Sequence, residues 1–131
     1  MTAPIAGFDH VALPLRDADA MAAFYRALGF PVEETPYLVV VRVGDQMINF
    51  HRVEMWTRDD FTLRAPAAAP PCGDLCVRWE GSADALRDML DAARARVEDG
   101  PVVRRGALGT DATSVYVRDP DGNLLEFMSY R

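Results

Sequence analysis

The chain contains two histidines, His10 and His51, and both stand in strand-like runs whose alternation turns them away from the apolar face. Asp74 and Glu126 occupy the corresponding face of two further runs. Two imidazoles and one or two carboxylates, brought together from separate strands, are the donor set of a divalent transition metal that keeps open coordination positions. Asp74 is also readable as a solvated strand-end carboxylate or turn cap. Other chemistries are excluded: all 14 basic residues are arginine, so lysine Schiff bases and amine nucleophiles are absent, and there is no nucleophile-elbow motif. Cys72 and Cys76 have no second Cys or His pair at zinc-finger spacing and read as reduced thiols without special chemistry.

The elements that must position these groups follow from periodicity. A strand over Phe8 to Leu13 precedes a helix whose stripe is Met21, Phe24, Tyr25 and Leu28, with Asp17 or Asp19 as cap and Gly29 as stop. Three strands are expected next, at Pro31 to Thr35, Tyr37 to Val43 and Gln46 to Val53, the last two joined by a tight Gly44-Asp45 turn. From Glu54 to Cys72 the pattern breaks into charges and an Ala-Pro-rich stretch, read as a linker. A strand at Asp74 to Trp79 then leads into a second helix carrying Leu86, Met89, Leu90 and Ala93, which Val97 extends to nearly four turns. Strands around Val102, at Ser114 to Arg118 and at Asn123 to Tyr130 complete the chain, with Asp119-Pro-Asp-Gly122 as a strong turn.

The order strand, helix, three strands therefore occurs twice, and the two copies align. Residues 37–50 lie without a gap over 114–127, and 9–13 over 73–77. Modules 7–53 and 73–130, joined by the linker 54–72, are expected to form one 131-residue unit. Under this registration His10 matches Asp74 and Asn49 matches Glu126. Val11, Leu13, Leu75, Val77, Trp79, Leu125 and Phe127 face the helices, while His10, Asn49, His51, Asp74 and Glu126 face the other way.

Composition bounds the partners. Half of the residues are hydrophobic and 26% charged, so a chain of this length buries a full core without disulfides. Twenty acidic against 14 basic side chains give a net charge of -6, which excludes a nucleic-acid face. No apolar run approaches the length of about 20 residues that a membrane helix needs, and no basic segment followed by an apolar signal core opens the chain. A soluble, cytoplasmic protein is expected. Tyr116 and Trp56 are candidates for lining a pocket or, more simply, for packing. Arg104 and Arg105 are candidates for gripping a carboxylate or a thiol-conjugate substrate, or else are solvated.

Three ordered motifs resemble the vicinal oxygen chelate superfamily of glyoxalase I, fosfomycin-resistance proteins, bleomycin-resistance proteins and extradiol dioxygenases. They are Phe8-Asp-His-Val-Ala-Leu13, Phe24-Tyr-Arg-Ala-Leu-Gly-Phe30 and Arg118-Asp-Pro-Asp-Gly-Asn-Leu-Leu-Glu-Phe127. Ile48-Asn-Phe-His51, Gly73-Asp-Leu-Cys76 and the stretch from Gly100 to Ala107 are similar to a small glyoxalase-like group. The resemblance implies an α+β fold in which two βαβββ modules form a U-shaped sheet around a divalent metal (Zn, Ni, Mn, Co or Fe). It also implies a homodimer that can pair modules from different chains, and a small-molecule substrate. The superfamily's ligand positions fall on His10, Asn49, Asp74 and Glu126. His10 and Glu126 hold the expected types, while Asn49 replaces the usual Glu or Gln and Asp74 the usual His. His51 then supplies the missing imidazole, giving His10, His51 and Glu126 as ligands and Asp74 as fourth ligand or general base. The implied activity is a glyoxalase-like lyase or isomerase. Two alternatives remain: an Fe(II) extradiol-type dioxygenase, and a metal-free protein that sequesters a ligand as bleomycin-resistance proteins do.

Overall fold

Alternating apolar residues build two sheets of four strands each, and one helix follows the first strand of each sheet. The computed structural model describes residues 3–131. The first sheet takes β1 (His10–Pro14), β2 (Val32–Glu34), β3 (Leu38–Val43) and β4 (Gln46–His51), in the order β1-β4-β3-β2, with helix α1 (Ala18–Ala27) after β1. A short helix α2 (Val53–Trp56) leads into the connection. The second sheet takes β5 (Asp74–Arg78), β6 (Val97–Arg105), β7 (Asp111–Arg118) and β8 (Leu124–Ser129), in the order β5-β8-β7-β6, with α3 (Ala83–Ala92) after β5. The outer pair β1/β4 is parallel, as is β5/β8, so the two sheets are built to one plan. This is the α+β arrangement of paired βαβββ modules expected from the sequence.

Local chemistry explains the helix limits. Asp17 caps α1 by accepting the Ala20 N–H, and Ser82 caps α3 by accepting that of Ala85. Both helices end in the same hydrogen-bonded turn. In α1, Gly29 takes a positive φ of 91° while the Phe30 N–H reaches the Tyr25 carbonyl. In α3, Arg94 takes φ 55° and the Ala95 N–H reaches the Leu90 carbonyl. That turn overturns one expectation: Val97 does not extend the second helix but opens β6. A second difference lies at the end of β4. The strand stops at His51 instead of Val53, because the amides of Met55 and Trp56 turn back to the Arg52 carbonyl and start α2 inside the expected linker.

One buried cluster joins the modules. Met21, Tyr25 and Leu28 of the α1 stripe pack with Val39, Val41, Ile48 and Phe50 of the first sheet. Leu86, Leu90, Val115, Val117, Leu125 and Phe127 of the second half belong to the same cluster. Tyr25 meets Phe50 at 5.6 Å between ring centroids, and Phe30 meets Phe127 at 6.5 Å. The faces bearing His10, Asn49, His51 and Glu126 lie on the other side of each sheet, as strand alternation requires. Among the described residues no helix is long and apolar enough to cross a membrane.

The turn between β7 and β8 ties the halves with buried polar groups. Asp119 Oδ1 accepts the N–H groups of Asp121, Gly122 and Asn123, and its Oδ2 accepts the Tyr25 hydroxyl and the Asn123 side-chain amide, each at 2.8 Å. Asp121 accepts the N–H of Arg16 at 2.6 Å and of Asp17 at 3.1 Å, just ahead of α1. Asn123 Oδ1 accepts the Gly73 N–H at 2.8 Å, at the entry to β5. The turn thus sets the hairpin that carries Glu126 and also fixes the second module against the first.

Candidate functional site

The predicted donors fall into two groups, one on each sheet. On the first sheet, β1 and β4 pair in parallel with His10 beside Met47, Ala12 beside Asn49 and Pro14 beside His51. His10, Asn49 and His51 therefore share one face, and His10 and Asn49 are diagonal neighbours. Asp9 Oδ1 lies 2.7 Å from His10 Nδ1, which leaves Nε2 as the nitrogen free to face a ligand. Asn49 Oδ1 is fully enclosed and has no hydrogen-bond partner among the described residues. An enclosed acceptor without a donor is unfavourable by about 1–3 kcal/mol, so it marks a place where an electropositive partner fits. His51 packs edge-on against Phe61 at 5.3 Å between centroids. Partial burial holds its pKa below the ordinary imidazole value, and the charges of Arg64 and His10 lower it further. It is a neutral imidazole at physiological pH, the form that binds a metal.

On the second sheet, Glu126 of β8 stands between Cys76 of β5 and Tyr116 of β7. The Ser114 hydroxyl donates to Glu126 Oε2 at 2.5 Å and fixes one carboxylate oxygen. Partial desolvation pushes the Cys76 thiol up to about 11, and the negative charges of Glu126 and Asp74 add to the rise. Cys76 is thus a protonated thiol at neutral pH rather than a nucleophile, and both cysteines are free. Asp74 lies at the exposed start of β5, beside Leu124.

The two sheets approach one another at β1 and β5. There a cleft of about 170 Å³ is lined by residues that include Phe8, His10, Met47, Leu75 and Cys76. Among the described residues of one chain, no group of three or more His, Cys, Asp and Glu side chains is close enough to hold a metal ion. The structure brings His10 alongside Asn49 and Glu126 alongside Ser114 and Cys76, with the two sets on separate sheets. Trp56 is accounted for structurally, since its indole N–H donates to the Leu15 carbonyl at 2.8 Å.

Two features of this region were missed in the sequence. Ser114 as the partner of Glu126 is hidden because the contact crosses strands diagonally, and only the β7/β8 register reveals it. The buried carboxylates Asp119 and Asp121 looked like ordinary turn residues.

A family model described as the Glyoxalase/Bleomycin resistance protein/Dioxygenase superfamily matches residues 7–127. The chain belongs to this superfamily. Among superfamily relatives, virulence protein STM3117 of Salmonella typhimurium is 37% identical over 125 residues, covering 93% of this chain and 83% of that protein. The crystal structure of STM3117 superposes with a TM-score of 0.85 at 32% identity, over 98% of this chain and 100% of that one. A lactoylglutathione lyase from Agrobacterium tumefaciens superposes with a TM-score of 0.73 at 29% identity, over 97% and 96% of the two chains. The superfamily contains glyoxalases, dioxygenases and binding proteins, so membership fixes the fold and leaves the activity to the site.

Proposed function

We propose that the protein is a divalent-metal-dependent lyase or isomerase of glyoxalase type, acting on a small oxygenated molecule as a homodimer. His10, His51 and Glu126 are the ligands, and Asp74 is a fourth ligand or the proton carrier. The observation that carries the reading is the pairing of an oriented imidazole with an unsatisfied oxygen on one face. Asp9 fixes His10 so that Nε2 is available, and Asn49 Oδ1 has no donor among the described residues. Each sheet offers part of a donor set, and a second copy that sets its second module against the first module of its partner completes it. The similarity to a protein titled lactoylglutathione lyase supports the same chemistry.

A bound divalent cation would supply Lewis-acid stabilisation of negative charge developing on a substrate oxygen. The chain supplies the rest. Asp9 holds the His10 tautomer, and the depressed pKa of His51 keeps its ring neutral. Ser114 orients Glu126, and a carboxylate of the site, Asp74 where it is not a ligand or else Glu126, accepts the proton released from the substrate carbon and returns it to the neighbouring carbon. No covalent intermediate with the protein is required.

Elemental analysis and divalent-ion titration of the purified protein test the metal, with His10→Ala and Glu126→Ala as variants. Both should lose the stoichiometric ion. Mixing the two variants should restore one intact site per heterodimer, since the surviving His10 and the surviving Glu126 then face each other across the interface. Isomerisation of glyoxal–thiol adducts, set against ring cleavage of catechols, separates lyase from dioxygenase. Metal binding that neither substitution weakens would overturn the ligand set. Tight binding of an organic ligand to protein that takes up no ion would favour a sequestering role.

A further inference from the structure

The outward face of the second sheet carries two arginines that the metal reading does not use. Arg104 of β6 lies over the Tyr116 ring at 5.8 Å from its centroid, and its Nε donates to the Tyr116 hydroxyl at 3.2 Å. Tyr116 is the residue directly opposite Glu126 in the β7/β8 ladder, so this guanidinium stands one ring away from the Glu126 row. On the other flank, Arg78 of β5 lies over Tyr130 at 5.4 Å. Arg78 shares its strand face with Asp74 and Cys76, and Cys76 is the neighbour of Glu126 on that side. Arg78 on β5 and Arg104 on β6 thus flank the β8/β7 pair that carries Glu126, each beside a tyrosine.

The tyrosine beside each is what sets them apart among the described residues. Arg26, Arg42, Arg52, Arg58 and Arg118 each face a carboxylate at 3.1 Å or less. Among the described residues Arg78 and Arg104 are two of several arginines that face none, and the two whose guanidinium lies over a tyrosine ring. A guanidinium held over an aromatic ring has less motion to lose when it binds, and its in-plane N–H groups match the two oxygens of an oxyanion; Arg104 Nη1 is further tied to the Val103 carbonyl at 2.9 Å.

We propose that Arg104 and Arg78 form an oxyanion grip beside Glu126, so that the substrate of the site proposed above is a small molecule bearing a carboxylate or a phosphate. The grip rests on the lyase reading for its place in a reaction, but binding by itself does not require turnover. Arg104 takes the charged group nearest the reacting carbon, and Arg78 takes a second charge or the far end of a longer substrate.

The test has a binding arm and a turnover arm, both on the full-length protein. The arginine Nε–H resonances are followed by nitrogen NMR during titration with succinate, with inorganic phosphate and with chloride at equal ionic strength. Saturable shifts at Arg104 and Arg78 are expected with at least one oxyanion and not with chloride. They should be lost at Arg78 when Arg104→Gln removes half of the grip, and retained in the control Arg87→Gln. Whichever of succinate and phosphate binds more tightly identifies the group. In the turnover arm, the methylglyoxal adduct of mercaptoacetate is compared with that of mercaptoethanol. The carboxylated adduct should be preferred by about tenfold in kcat/KM, mainly through KM, and Arg104→Gln should bring the two to parity while Arg104→Lys falls between. Oxyanion-specific shifts without turnover of either adduct would sink the lyase and keep the grip. Turnover with no preference and no shifts would overturn the grip and keep the lyase.

Discussion

Tyr25→Phe isolates the bond that joins the two modules through the core. Tyr25 is fully buried, and its hydroxyl donates to Asp119 Oδ2 at 2.8 Å. The substitution removes one oxygen and leaves the ring contacts with Phe24, Phe30 and Phe50 in place. Asn123 still donates to the same carboxylate oxygen, so Asp119 is weakened rather than stripped. A hydrogen bond to a charged group contributes about 1.5–3 kcal/mol, and with one donor remaining a loss of about 2 kcal/mol is expected. For a domain of this size that lowers Tm by about 6–10 °C. The pH dependence gives a second check. Burial raises the Asp119 pKa above the ordinary carboxylate value, against the lowering effect of Asn123 and Tyr25. Because the folded value lies above the unfolded one, Asp119 contributes stability that is complete below the unfolded pKa and is lost as pH rises through the folded pKa. Removing a donor that holds the folded value down moves it higher still. The deficit of the variant is therefore full at neutral pH and shrinks as pH falls through the Asp119 pKa. Urea unfolding of both proteins at neutral and mildly acidic pH measures it. A deficit below about 0.5 kcal/mol, or one that stays constant in acid, would refute the assignment of Asp119 as a buried, ionised acceptor.

Asp121→Ala removes the acceptor for the Arg16 and Asp17 amides and should destabilise by about 1–3 kcal/mol, with faster hydrogen exchange at those two amides; unchanged exchange would contradict it. Asn49→Leu should leave the metal-free protein as stable as wild type or up to about 1 kcal/mol more stable, because it replaces an unsatisfied enclosed oxygen, while divalent-ion affinity falls. A marked loss of stability in urea unfolding would show that Asn49 has a structural partner. Gly100→Ala should destabilise by about 2 kcal/mol or more, since Gly100 sits at φ 103° and an added Cβ would collide with the Ser114 carbonyl oxygen. An unaltered melting temperature would count against that geometry.

Much of the fold was legible because apolar alternation and turn chemistry agree in both copies. Gly44-Asp45 and Asp121-Gly122 fall at equivalent points, and the Met21, Phe24, Tyr25, Leu28 stripe ends at a glycine that can take positive φ. The end of the second helix carried no such mark. Arg94 adopts the left-handed conformation with neither Gly nor Asn to announce it, and Val97 continues the apolar spacing, so helix and strand were indistinguishable there. The faces of His10, Asn49, His51 and Glu126 followed from the period of two. The hydrogen bonds that give those faces their chemistry, Asp9 to His10 and Ser114 to Glu126, depend on rotamers and on register across strands, which one sequence does not encode locally.

The β7/β8 turn makes the two halves unequal partners. Its carboxylates reach out to Arg16, Asp17 and Tyr25, whereas Asp45, in the matching hairpin of the first half, is exposed. Cut at the connection, the C-terminal fragment would carry two acids whose amide and phenol partners lie on the other piece, and both fragments would expose apolar surface from the cluster they share. Split-protein reassembly should therefore draw on the common core from both sides, with the carboxylates of the fragment beginning near Gly73 supplying the polar register that fits the two pieces together.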